Sequence, residues 1–265
     1  MAGKLFLTDL DGTLFTDERM VHPTDIEALE QLRANQVIVA VATGRSLYSY
    51  QKAMKAMKEN GGPDFLPVDF VLFSTGAGIF ECETCRIVYK KEIPANQIPE
   101  ITTCLEQRKI DYMVHAAIPD TRQFLYRSFG KDNPDFHRRI GMYNSYGRPL
   151  EPGHRYTEAA TEVLAIVPNP DSCFSIEPLS RALKNFSVIH ATSPLDHLSA
   201  WIEVFHKDVS KSRTAAFLAR EKGIDCSQLV AVGNDFNDQD LLEWAGRGYL
   251  VENGPDIHKS RFETV

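Results

Sequence analysis

Short apolar runs alternate with amphipathic stretches along the first third of the chain. "KLFLTD" (Lys4–Asp9), "QVIVAVAT" (Gln36–Thr43) and "DFVLFS" (Asp69–Ser74) have the length and composition of buried strands. Between them, "HPTDIEALEQLRAN" places Ile26, Leu29 and Leu32 on one helical face, and "SLYSYQKAMKAMKEN" (Ser46–Asn60) reads as a second helix. This βαβαβ order with short connections predicts a doubly wound, parallel α/β sheet of Rossmann-like type. Ligands of such sheets sit outside the carboxyl ends of the strands, where Asp9 and Thr43 fall.

The rhythm changes near Gly76. "GIFECETCRIVYKKEIP" (Gly78–Pro94) reads as two short strands joined by a tight turn at Glu83–Thr84. Strands such as "DYMVHAA" (Asp111–Ala117) and "TEVLAIVP" (Thr161–Pro168) then mix with helices. The polar stretch Ser128–Thr157 is too long and too rich in Gly and Pro for one regular element. Residues 81–193 therefore read as an α+β domain inserted into an α/β core made of residues 1–80 and 194–265. In the second core segment "AWIEVF" (Ala200–Phe205), "QLVAVG" (Gln228–Gly233) and "GYLVEN" (Gly248–Asn253) read as strands. "KSRTAAFLAREKG" and "NDQDLLEWAG" read as helices, and a short helix closes the chain.

The first strand runs into "DLDGT". Two residues apart in extended chain, Asp9 and Asp11 face the same side with Cα atoms roughly 6.5–7 Å apart. Like charges that close, at the end of a buried strand, need compensation, and Gly12 lets the chain turn away sharply after them. Three other stretches offer it. "VATGRS" brings Thr43, Gly44 and Arg45 to a strand end before a helix, where a hydroxyl and helix N-terminal amides suit a phosphate oxygen. "DVSKSRTAA" places Lys211 in the first turn of a helix, a fixed cation for developing phosphoryl charge. "VGNDFNDQD" supplies Asn234, Asp235, Asn237 and Asp238, oxygen donors suited to a hard cation such as Mg²⁺.

Composition narrows the partners. A net charge of −7 over 265 residues, with pI near 5.6, argues against nucleic acid or an anionic membrane as a general partner. An acidic chain binding phosphate esters needs local cations. No targeting segment is evident, apolar runs such as "VIVAVA" are too short to span a bilayer, and five scattered cysteines suit a reducing compartment; the expectation is a cytoplasmic protein. "DLDGTLFTDE" has Gly at the fourth position of the loop instead of the sixth, which rejects an EF-hand. "CETC" (Cys82–Cys85) has no second Cys pair and reads as a hairpin turn. "TGAGIF" lacks a third glycine and is not a dinucleotide fingerprint. Arg122, Arg127, Lys131, Arg138 and Arg139 of the insert default to a solvated face.

Four motifs in order, "DLDGTL", "ATGRS", "VSK" and "GNDFND", with a large insert between the second and third, resemble the haloacid dehalogenase (HAD) superfamily of phosphotransferases, in its Cof-like branch with a large inserted cap. The resemblance covers the whole chain. It implies a Mg²⁺-dependent phosphatase acting through an aspartyl-phosphate on a small phosphorylated metabolite, a sugar phosphate or similar monoester, with the cap selecting the substrate. Asp9 would be the nucleophile, and Asp11 would protonate the leaving oxygen and later activate water. Thr43, Gly44, Lys211 and Asn237 would hold the phosphoryl group, and Asp238 would support the site near Lys211. Mg²⁺ would be held by Asp9, the Asp11 backbone carbonyl and the first acidic position of the last motif. Two positions depart from the family pattern. The last motif usually reads Gly-Asp-x-x-Asn-Asp, so the metal ligand is either the amide of Asn234 or, after a small backbone shift, Asp235. The usual Asn-Gly-Ala appears as Thr75-Gly76-Ala77. The alternatives are a phosphomutase of phosphomannomutase type and a non-catalytic metabolite-binding protein of the same fold.

Overall fold

The computed structural model describes residues 3–16, 18–130, 132–170 and 175–265. The chain forms two units, residues 1–90 with 210–265 and residues 91–209. The first unit begins with β1 (Lys4–Thr8), α1 (Pro23–Ala34), β2 (Val37–Ala42), α2 (Leu47–Glu59), β3 (Phe70–Phe73), β4 (Gly78–Glu81) and β5 (Arg86–Lys90). The second comprises α3 (Ile98–Gln107), β6 (Asp111–Ala116), β7 (Phe124–Arg127), α4 (Pro134–Met142), β8 (Gly147–Pro149), β9 (Ala160–Val167), α5 (Glu177–Ala182), β10 (Phe186–Thr192) and β11 (Ala200–His206). The chain then completes the first unit with α6 (Lys211–Glu221), β12 (Leu229–Gly233), α7 (Gln239–Trp244), β13 (Arg247–Leu250), α8 (Asp256–Lys259) and β14 (Glu263–Thr264).

In the first unit the strands lie in the order β14-β13-β12-β1-β2-β3-β4-β5. Pairing is parallel from β14 to β3 and antiparallel across β3–β4–β5. The continuous apolar runs of β1 and β2 are explained by burial on both faces, since helices cover a parallel sheet on each side. Leu5, Leu7 and Leu72 pack with Leu218 and Ala219 of α6 and Leu241 of α7. Local signals set the helix starts: Pro23 opens α1, and the Ser46 side chain accepts from the Ser49 amide at the start of α2.

The boundaries differ from the 80/81 and 193/194 expected. β5 stays in the first unit because it pairs with β4 at the sheet edge, so that sheet extends to Lys90. "AWIEVF" is not a core strand. β11 lies antiparallel between β10 and β9 in the second unit's six-stranded sheet, β10-β11-β9-β6-β7-β8. It is buried on both faces, and a short apolar run looks the same in either kind of sheet.

The polar stretch of the second unit contains one helix, α4, whose first turn is capped by Asn133. That helix buries Asp135, which accepts hydrogen bonds from Trp201 Nε1 at 2.7 Å and Ser193 Oγ at 2.9 Å. Of the insert's basic residues, Arg127 lies 3.6 Å from Glu106, Arg138 donates to the Leu195 carbonyl, and Arg139 stacks over Trp201. The "CETC" turn is a hairpin turn with two free thiols. Cys173 and Lys131 lie outside the described residues, among which no helix is long and apolar enough to cross a membrane.

The turn after β3 is unusual. Ser74, Thr75 and Gly76 are buried and take φ of 48°, 54° and 97° in succession. Left-handed backbone is costly for a β-branched residue such as Thr75. The conformation presents the Ser74 and Thr75 amides to the Arg45 and Thr43 carbonyls at 2.8 and 2.9 Å. Gly76 cannot carry a side chain, because a Cβ there would come within 2.7 Å of the Ser210 carbonyl oxygen and of Thr214 Oγ1. Gly61 also has positive φ, 88°, but nothing lies within 4 Å of its missing Cβ. Gly61→Ala should therefore lose about 1–2 kcal/mol for the left-handed backbone alone. Gly76→Ala should lose a further ~1–3 kcal/mol from the clash. Urea unfolding of the pair checks the difference; equal losses would refute the packing argument.

Candidate active site

Three adjacent strands, β12, β1 and β2, end side by side, and each delivers one motif. The Asp9 amide continues the ladder, donating to the Val232 carbonyl of β12 at 2.9 Å, and the Thr43 amide donates to Leu72 at 2.9 Å. The parallel register thus carries the two strand-end residues to the same edge of the sheet. The N-terminus of α6 completes the set: Ser210 caps it, and Lys211 is its first residue.

Lys211 is fully buried and sits between two carboxylates. Its Nζ donates to Asp9 Oδ1 at 2.7 Å and to Asp238 Oδ1 at 2.6 Å. The second Asp238 oxygen accepts from the amides of Asn234 and Asp235 at 3.0 and 3.1 Å, so this carboxylate folds the last motif around itself. With all three groups ionised, Asp9, Lys211 and Asp238 carry one net negative charge. Burial pushes the Asp9 carboxyl up to about 7; the charges of Asp238 and Asp11 add to this, and Lys211 works against it. Burial also disfavours charge on Lys211, but Asp238 and Asp9 overcome it and hold the ammonium above its ordinary range.

Asp11 has its own cation. Arg45 takes both of its oxygens, through Nε at 2.7 Å and Nη2 at 2.6 Å. The two aspartates that repel each other in the sequence are thus each paired, one with a lysine and one with an arginine. Directly after Asp11, Gly12 has φ 78°, and a Cβ there would come 2.5 Å from the Asn234 side chain. That places Asn234 beside the loop of the first motif. Asp235 instead turns its carboxylate to cap the short turn Phe236–Asp238. Thr43 is fully buried, and its Oγ1 accepts from the Arg45 amide at 3.1 Å. Gly44 is half-buried in the bend before α2, and Asn237 lies half-buried in the Phe236–Asp238 turn.

Among the described residues, no three His, Cys, Asp or Glu side chains converge closely enough to hold a metal ion by themselves. The first and last motifs instead offer mixed oxygens: the Asp9 carboxylate, the Asp11 backbone carbonyl and the side chains of Asn234 and Asp235. Few carboxylates, with water completing the shell, suit Mg²⁺, and the net negative charge of the buried array favours a cation beside it. The donor set fits that ion.

Sequence reasoning placed Arg45 at the strand end but did not foresee its pairing with Asp11. It also missed Asn253, which donates to the Gly12 carbonyl at 2.7 Å, and Asp240, which accepts from Ser212 Oγ at 2.6 Å and ties α7 to α6. No spacing rule links residues so far apart in the chain.

A buried carboxylate–lysine–carboxylate array thus stands at the carboxyl edge of the parallel sheet. Residues 6–265 match the model of the haloacid dehalogenase-like hydrolases. A phosphoglycolate phosphatase of Methanopyrus kandleri is 27% identical over 261 residues, 98% of this chain and 89% of its own. A HAD-superfamily phosphatase from Bacteroides thetaiotaomicron has the same fold, with TM-score 0.73 and 19% identity over 99% of this chain and 88% of its own. A sugar phosphatase of HAD subclass IIB superimposes with TM-score 0.70 and 16% identity, over 99% of this chain and 92% of its own. The chain belongs to the haloacid dehalogenase-like hydrolase family, as an enzyme of phosphatase type.

The array makes unequal demands on its members. Removing the charge of Asp9 leaves Lys211 and Asp238 as a neutral pair, so Asp9→Asn should remain folded with stability close to the parent. Lys211→Ala strands two buried carboxylates, and Asp238→Ala also leaves the Asn234 and Asp235 amides without their acceptor. Each should cost about 3–5 kcal/mol. Denaturant unfolding of the three variants tests this ordering; an Asp9→Asn loss as large as that of Asp238→Ala would contradict it.

Proposed function

We propose that this protein is a Mg²⁺-dependent phosphatase that hydrolyses a small phosphorylated metabolite, a sugar phosphate or similar monoester, through an aspartyl-phosphate on Asp9. The observation that carries the reading is the position of Asp9, buried at the end of β1 with one oxygen held by Lys211 at 2.7 Å. An oriented carboxylate beside a fixed cation is equipped to attack phosphorus while the charge of the transferring group is offset. The fit of the donor set and the names of the relatives support the rest.

In this mechanism Asp9 attacks phosphorus, and the bond to the leaving oxygen breaks as Asp11 supplies it with a proton. Asp11 then takes a proton from water, whose oxygen attacks the phosphorylated Asp9 and returns its carboxylate. Thr43, the amide of Gly44, Lys211 and Asn237 hold the phosphoryl oxygens, and Asp238 keeps Lys211 in place. Asp9, the Asp11 carbonyl and Asn234 would hold Mg²⁺, which when bound supplies charge to a phosphoryl oxygen and favours ionised Asp9. Asn234 takes this role because Asp235 is committed to capping. The inserted unit, residues 91–209, selects the leaving group.

The reading is tested by orthophosphate release from a panel of small phosphate monoesters. Activity should require Mg²⁺, disappear with a chelator, and be abolished by Asp9→Asn in a protein that still folds. Turnover by Asp9→Asn at the parent rate would overturn the nucleophile assignment. Titration with Mg²⁺ tests the ligand: Asn234→Asp should bind equally or more tightly, and Asp235→Ala should leave affinity within about threefold. Loss of Mg²⁺ binding in Asp235→Ala alone would move the ligand to Asp235.

A further inference from the structure

The Arg45–Asp11 pair is built more carefully than its energetics require. Its side chains are 18% and 40% exposed, and an ion pair so open to water adds little to stability. Yet every feature around Arg45 restrains it. Its amide donates to Thr43 Oγ1 at 3.1 Å, and its carbonyl accepts from the Ser74 amide at 2.8 Å. The Ser74 contact depends on the left-handed turn after β3. Two guanidinium nitrogens grip both Asp11 oxygens, and the third, Nη1, donates to Ser49 Oγ at 3.2 Å on the first turn of α2. A bidentate fork fixes the plane of a carboxylate as well as its position. Three of its five N–H donors are thus spent on Asp11 and Ser49, which fixes the guanidinium plane.

We propose that Arg45 is a positioning residue for Asp11, holding its carboxylate in the one orientation from which it takes the proton of the water that attacks phosphorylated Asp9. This rests on the Asp9 and Asp11 chemistry proposed above. In that step the water oxygen bonds to phosphorus, the bond from phosphorus to the Asp9 oxygen breaks with its electron pair returning to Asp9, and the water proton passes to Asp11. Arg45 acts through Asp11 in this proposal. For a leaving group that needs the Asp11 proton, both halves of the reaction depend on Arg45; for one that departs without a proton, only the second half does.

p-Nitrophenyl phosphate separates the halves, because its leaving group departs without a proton. Arg45→Ala should lower kcat about 10²-fold. KM should fall in parallel, so that kcat/KM stays within about threefold of the parent. Rapid mixing should show a burst of nitrophenolate, and acid quenching should show phosphate accumulated on Asp9. Added guanidinium should restore part of kcat. Arg45→Lys, which keeps the charge without the fork, should behave more like Arg45→Ala than like the parent. Ser49→Ala should shift the same ratios more weakly, and Arg45→Ala should add nothing to Asp11→Asn. A raised KM with kcat/KM falling alongside kcat would overturn the proposal, making Arg45 a substrate anchor. So would a folded Arg45→Ala enzyme that accumulates no more phosphate on Asp9 than a phosphorylated parent does. Absence of phosphate on Asp9 in the parent itself would instead count against the proposed function.

Discussion

The buried ammonium of Lys211 between Asp9 and Asp238 is the interaction on which the rest of the site depends. Taking two carboxylates out of water is expensive, and one shared cation at 2.6 and 2.7 Å makes it tolerable. The fold serves this arrangement. β1 carries Asp9 in at the sheet edge, α6 brings Lys211 to it as its first residue, and Asp238 wraps the last motif around its second oxygen. With all three groups ionised, the same geometry leaves one negative charge in excess.

A second charge pair stands beside the first and is different in kind. Lys211 is fully buried, and its loss leaves charges stranded; Arg45 and Asp11 are partly in water and contribute orientation more than stability. The strained turn Ser74–Gly76 belongs to this second arrangement. Its left-handed residues have no counterpart in the strands and helices around it, and its amides hold the backbone of Thr43 and Arg45.

Much of this was legible in the sequence because short motifs carry local geometry. "DLDGT" announces a strand end with two carboxylates and a turn, and "VSK" puts a lysine at a helix start; both lie where they were expected. The split of the chain into a core and an insert was legible as well, but its edges were not. β5 and β11 are short runs whose sheet membership depends on partners far along the chain, and hydrophobic pattern does not record partners. The choice between Asn234 and Asp235 was equally closed to sequence reading. It turns on which side chain caps the Phe236–Asp238 turn and which lies against Gly12, a matter of backbone direction over two residues.

The central claim is that phosphorus becomes bonded to Asp9. The most direct measurement is acid quenching during turnover of a phosphate monoester, followed by borohydride reduction and peptide mapping. The account predicts a reduced residue at position 9 and none at position 11. Modification confined to another carboxylate, or steady phosphate release with no modified carboxylate at all, would contradict it.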